Sequence, residues 1–452
     1  MTLTSADQPA ESELIDPCSG SADVDTDCPL TRREQTRNLL LFATCTGAIY
    51  LAAPVGYVGL TQASLCDRLG ASTTVANLPA TAYFTFTVTP VLLAWLVPEV
   101  SRLKRNLAIC FALNAAAMAV VAAVLLSTAS DGVKIGLVIA QGAACGATMP
   151  SAIALLWEAI GRGASERRRG LALSLAFGCG PVLAMLGSLG SQLLLSGSLW
   201  GLHLPGMEFP WNFATLFLAA VPVMALGAVL ATRFIVVVPA KEMAREPFSR
   251  AVFGGISNFV TSRVLRMAAV VTILLYTENA IASNLNLYSQ QVLDIAPAQV
   301  AGLQNSLRFG CKAMAGLFLG WLLTRSNPKL GMLVTATIFL SALVWAMFAN
   351  GSWYSGAFLL YGAGELIGVY APNYILSASA PSDIRRNMAL VTLLMVIAAP
   401  EGAVFGAIAN HLGAWYAPAA GFKASFAVCA AVMVVGISLA IFRLPARPRS
   451  TA

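Results

Sequence analysis

Twelve times along its length this chain runs through roughly 20 mostly apolar residues. The stretches lie close to 38–60, 74–97, 106–127, 135–158, 171–195, 212–237, 265–289, 298–323, 330–349, 354–378, 388–410 and 418–442. A helix of that length matches the hydrocarbon thickness of a bilayer, whereas barrel strands are about 9–11 residues long and alternate in polarity. Lipid offers no partner to an unpaired N–H or C=O, so each stretch must satisfy its own backbone as a helix. The pattern predicts an all-α membrane protein with twelve transmembrane helices. Composition agrees, since 58% of the 452 residues are hydrophobic and only 11% are charged, against about 25% charged in a soluble domain.

The formal net charge of +7 invites a nucleic-acid reading, but the placement of the bases excludes it. With the N-terminus inside, 23 of the 28 Lys and Arg residues fall in loops on the same side as that terminus. Only Arg68, Lys134 and Lys423 fall on the other side. This is the positive-inside bias, and it predicts both termini in the cytoplasm of a multi-pass plasma (inner) membrane protein. Residues 1–37 are expected to be an acidic cytoplasmic tail, disordered because seven acids and no base occupy its first 30 positions. Residues 445–452 form the expected second tail. The nine cysteines show no C-x-x-C or Cys/His spacing, so neither a disulfide framework nor a metal site is expected. G-x-x-x-x-G-K-[ST] is absent, as is any Ser/His/Asp arrangement, so no cofactor and no enzyme activity are expected.

Two halves echo one another. The longest internal loop, 238–264, separates 38–237 from 265–444 as a cytoplasmic linker. The fourth span reads Gly142-Ala-Ala-Cys-Gly-Ala-Thr-Met-Pro150, and the tenth reads Gly362-Ala-Gly-Glu-Leu-Ile-Gly-Val-Tyr-Ala-Pro372. Each leads through a short basic loop into a span with a central proline, at Gly180-Pro181 and at Ala399-Pro400. Repeated halves with a site at their interface are a common transporter plan.

Five ionisable residues interrupt the apolar stretches, all in the second half: Glu278, Arg308, Lys312, Glu365 and Glu401. Charge at bilayer depth is expensive, and where it occurs it faces a bundle interior or a water-filled path. Arg308 and Lys312 are four apart and share a helix face with Gln304. Two cations on one stripe suit an anionic group or the neighbouring glutamates.

The six-plus-six layout, the inside termini and the long central loop resemble the major facilitator superfamily over residues 38–444. The loop after the second span resembles that family's G-x-L-a-D-R-x-G-R-R/K motif in degenerate form, keeping Arg102, Lys104 and Arg105, with Glu99 in the acidic place. A second degenerate copy follows the eighth span, with Gly320, Leu322, Arg325 and Lys329. Gly180-Pro181 partly matches the Gly-rich motif of the family's drug/proton antiporters. The resemblance implies two pseudo-symmetric six-helix bundles around a central cavity, lined by the first, fourth, seventh and tenth helices. It implies gating roles for Arg102, Lys104, Arg105, Arg325 and Lys329, and for the helix bends at Gly180, Pro181 and Pro400. Glu401 beside that last proline is read as a structural or pairing group. Glu278 and Glu365 are then the candidate proton-coupling carboxylates, because a carboxylate in an apolar setting can take up and release a proton near neutral pH. Arg308, Lys312, Gln304, Asn279, Tyr50 and Tyr57 are the candidate solute contacts. The expected function is secondary active transport of a small solute by a monomer, with protons as the coupling ion. A drug or metabolite efflux antiporter, and a membrane sensor or scaffold that transports nothing, are the competing classes.

Overall fold

The computed structural model describes residues 30–57, 59–97, 99–199, 202–203, 205–237, 256–257, 261–379 and 384–448. Most of the expected acidic tail and of the central linker lies outside these residues. Local chemistry sets the helix ends. The first helix, α1 (Arg32–Leu51), begins inside the stretch expected as a tail, because Thr31 and Glu34 close a reciprocal capping box around its first turn. It continues through α2 (Ala53–Gly56) and α3 (Leu60–Arg68), broken near Pro54 and Gly59. The second span is α4 (Thr73–Ala76), α5 (Leu78–Phe86) and α6 (Thr89–Leu96), with Pro79 and Pro90 in the first turns of the last two. Then come α7 (Leu103–Leu125), α8 (Asp131–Gly163), α9 (Glu166–Ser196) and α10 (Trp211–Ala231). Gly197, at φ 69°, ends α9 in the left-handed conformation that glycine adopts most readily.

The second half repeats the style. It comprises α11 (Arg263–Leu275), α12 (Thr277–Leu293), α13 (Pro297–Arg325), α14 (Pro328–Phe348), α15 (Gly356–Gly364), α16 (Ile367–Ala378), α17 (Ile384–Ala398), α18 (Glu401–Trp415) and α19 (Pro418–Arg443). Nine helical segments among the described residues are long and apolar enough to cross a bilayer by themselves. The three expected spans outside that set coincide with α1 and its continuation, with the charge-bearing α13, and with the broken pair α15 and α16. The surface is lipid-like, with Leu317 77% and Phe442 81% exposed. On a water-facing domain such apolar area would be an aggregation liability.

The repeated glycine motifs have a packing explanation. A side chain at Gly142 or Gly146 would strike the backbone of Pro79 or Tyr83, so α8 crosses α5 at backbone contact. In the second half, a side chain at Gly362 would strike the carbonyl of Arg308, so α15 crosses α13 in the same manner. Small residues at helix crossings are how membrane helices approach closely.

Candidate functional site

The crossing at Gly362 sets the position of Glu365. The helix tightens there: Leu366 and Gly368 donate to carbonyls only three residues back, at Ala363 and Glu365, which separates α15 from α16. Glu365 therefore projects from a helix break, one turn past the contact with Arg308. The Arg308 guanidinium donates in bidentate fashion, Nε to Oε2 and Nη2 to Oε1, each at 2.8 Å. Lys312, one turn along α13, reaches Oε1 at 3.0 Å. Arg308 also lies over three rings, Tyr361 at 4.7 Å, Tyr57 at 5.2 Å and Phe309 at 5.3 Å, within range of cation–π attraction. Arg308 and Glu365 are almost wholly buried, whereas the Lys312 side chain keeps about 20% exposure. The trio thus carries a net charge of +1.

Lys312 marks the edge of a cavity of about 120 Å³. Phe42, Thr46, Ile49, Tyr50, Ala53 and Tyr57 line it from the first span, and Met149, Ile153, Leu156 and Trp157 from α8. Phe309 and Lys312 complete it from the other half of the chain. The lining runs from Phe42 to Tyr57 along the first span and from Met149 to Trp157 in the later half of α8. Gly180 shapes the wall, since any side chain there would collide with the Tyr50 ring.

At the opposite helix ends the two halves are sealed by polar groups. Gln192 of α9 donates to the carbonyl of Gln299 and accepts from the N–H of Leu303 at 2.8 Å. Gly302 leaves room for the Gln192 backbone there. On the far side of the seam Asn77 donates to Asn284 at 2.8 Å. Asn284 in turn donates to the Phe405 carbonyl and to Ser425, each at 3.0 Å.

The residues singled out in sequence fall into distinct settings. Arg308, Lys312 and Glu365 come together, and Tyr50 and Tyr57 line the same cavity. Gln304 does not; it is buried against Asn286, whose side-chain amide donates to it at 2.6 Å. Asn279 is half-buried and is not among the residues that line this cavity. Glu278 is the second residue of α12, and its side chain lies outside the described residues, as does that of Arg325. Arg102 pairs with Glu99 three residues away, so in this copy of the loop motif acid and base meet within one turn. Lys104 and Arg105 are exposed nearby. Lys329 donates to the carbonyls of Ile441 and Leu444, each at 2.7 Å, capping the end of α19. Pro181 is buried within α9. Pro400 separates α17 from α18, and Glu401 opens α18 with its Oε2 buried and without a hydrogen-bond partner. Among the described residues no group of three His, Cys, Asp or Glu side chains is arranged to hold a metal.

Sequence reasoning missed Gln192 and Asn284. Gln192 sits beside Ser188, Ser191 and Ser196 in an apolar span, and a polar residue in such company ordinarily signals local pairing. Asn284 is one of several Asn and Ser residues in α12, and nothing in the sequence separates it from the others.

Helices crossing at glycine contacts, two echoing halves and a cavity shared between them define an integral membrane protein of the transporter class. The sequence matches the Major Facilitator Superfamily over residues 39–402, and the chain belongs to that family. Among solved structures it is similar to the nucleoside transporter NupG, with a TM-score of 0.66 at 11% identity, covering 91% of this chain and 99% of the other. It is similar to the E. coli fucose:proton symporter FucP, at 0.56 and 15% identity over 90% and 99% of the two chains. A bacterial homologue of the human lysosomal transporter Spinster gives 0.64 at 11% identity, over 91% and 97%. Comparison with curated proteins finds no match.

Proposed function

We propose that the protein is a proton-coupled secondary carrier of a small solute that works by alternating access. The observation that carries this reading is the combination of a cavity walled by both halves with a buried ion network at its edge, sealed at one end by the Gln192 and Asn77 contacts. An inert scaffold would have no need for charges whose burial costs several kcal/mol each. On this reading the termini are inside, the cavity is the cytoplasm-facing site and the polar seam closes the outward end. Rocking the halves would break the polar seam and close the cavity end. Glu278 is the coupling carboxylate of this reading, because both oxygens of Glu365 are already engaged by cations. The FucP relative is described as a proton symporter, which is consistent with a proton gradient as the energy source.

Proteoliposomes enclosing a pH-sensitive dye test this. Small sugars, nucleosides, carboxylates and peptides are added in turn under an imposed gradient. At least one solute is expected to move the internal pH, and Glu278→Gln should abolish that movement while solute exchange persists. Solute flux in the wild type with no change in internal pH would remove proton coupling.

A further inference from the structure

We propose that the cavity takes a small amphipathic monoanion, a single carboxylate on one aromatic ring or short branched chain, and that Lys312 binds its carboxylate. This rests on the carrier reading and names its solute class. Four features of the site support it.

The first is wall chemistry. Of the lining side chains only Thr46, Tyr50, Tyr57, Trp157 and Lys312 carry nitrogen or oxygen. A sugar or nucleoside, with a hydroxyl on most carbons, would leave many of its polar groups unmet in such a site. The second is sign. Among the described residues Lys312 is the one charged side chain lining the cavity and no carboxylate lines it, Glu365 being buried and held by Arg308, so a cation, or the ammonium of a peptide, would meet a like charge at the wall.

The third is how the charges divide. Arg308 holds both oxygens of Glu365, while Lys312 shares only Oε1 and is the partly exposed member of the trio. Lys312 can therefore turn to a solute without stranding Glu365, which stays neutralised by the bidentate arginine. A monoanion also cancels the net +1 of the trio, so the halves rock around a loaded site without excess charge there. The fourth is size. A cavity of about 120 Å³ is close to the roughly 150 Å³ that admits a benzene ring in an apolar protein interior. The aromatic walls, Phe42, Tyr50, Tyr57, Trp157 and Phe309, suit a ring or a branched alkyl group.

The test titrates the purified full-length protein with benzoate, 3-methylbutanoate, benzyl alcohol and benzylamine, reading thermal stabilisation and Kd. Either anion should bind, and benzyl alcohol and benzylamine should bind at least about tenfold more weakly. Lys312→Gln should weaken benzoate binding by about tenfold or more, and Lys312→Arg should retain it. Equal binding of benzyl alcohol, no response to either anion, or full benzoate affinity in Lys312→Gln would overturn the proposal. If Lys312→Gln fails to fold, the preference for anion over neutral isostere decides alone. Benzoate flux in proteoliposomes separates this proposal from the carrier reading. Lys312-dependent binding without flux would leave the site and remove the carrier. Flux of a neutral solute that survives Lys312→Gln would leave the carrier and remove the site.

Discussion

At the residue scale, a guanidinium at bilayer depth survives only with its charge matched and its donors engaged. Arg308 meets both conditions through Glu365 and three aromatic rings. Removing the acid should therefore be worse than removing the whole pair. Glu365→Gln is expected to destabilise the protein by about 3–5 kcal/mol, because it leaves buried cations uncompensated. The double variant Glu365→Gln with Arg308→Gln should recover most of that loss, as read by thermal melting in detergent. Tyr57→Ala, which removes one ring face, should lose about 1–2 kcal/mol, while Tyr57→Phe should stay near wild type. The sequence makes Arg308 and Lys312 visible as a pair, because four residues in a helix put them on one face. It makes Glu365 visible because acids are rare in such spans. Which acid would meet the arginine is not readable, since Glu278 and Glu365 sit in different helices and only the crossing at Gly362 selects between them. Gln304 misled for the complementary reason. It shares the helix register of Arg308, yet a neighbouring amide, Asn286, claims it.

At the element scale, span positions follow from hydropathy, because a stretch of apolar residues has few alternatives in a bilayer. Breaks within spans are less legible. Those near Pro54, Pro79, Pro90 and Pro400 carry a covalent signal, whereas the break at Glu365 depends on tertiary packing around Gly362 and Gly364. α1 starts six residues before the apolar stretch, since hydropathy ignores the polar capping box that begins a helix before its apolar part. The glycine echo between the halves has a mechanical test. Gly362→Ala would press a methyl group into the Arg308 backbone, and Gly146→Ala would do the same at Tyr83. Neither contact can be relieved by turning a side chain. Both variants should sharply lower the yield of folded protein in fluorescence-detected size exclusion. Gly368→Ala, whose methyl would enter open space, should leave yield and melting unchanged or slightly improved, because alanine favours helix by about 1 kcal/mol. Equal loss in all three would mean that the crossings do not depend on these glycines.

At the scale of the whole molecule, alternating access makes the two ends of the bundle antagonists. The polar seam through Gln192, Asn77 and Asn284 holds one end shut while the cavity bounded by Thr46, Trp157 and Lys312 stands at the other. Each seam hydrogen bond contributes about 0.5–1.5 kcal/mol, so removing several shifts the balance between states by roughly tenfold or more. The most direct measurement compares thiol labelling at both ends in the same background. Ser306→Cys reports on the seam, where the serine is buried and its hydroxyl reaches the Met185 carbonyl at 3.5 Å. Thr46→Cys reports on the cavity wall. Each is introduced into a chain without other cysteines, with and without the paired changes Asn77→Ala and Gln192→Ala. Weakening the seam is expected to raise labelling at 306 and lower it at 46 together. A rise at 306 with no change at 46, or no change at either, would contradict alternating access by this protein.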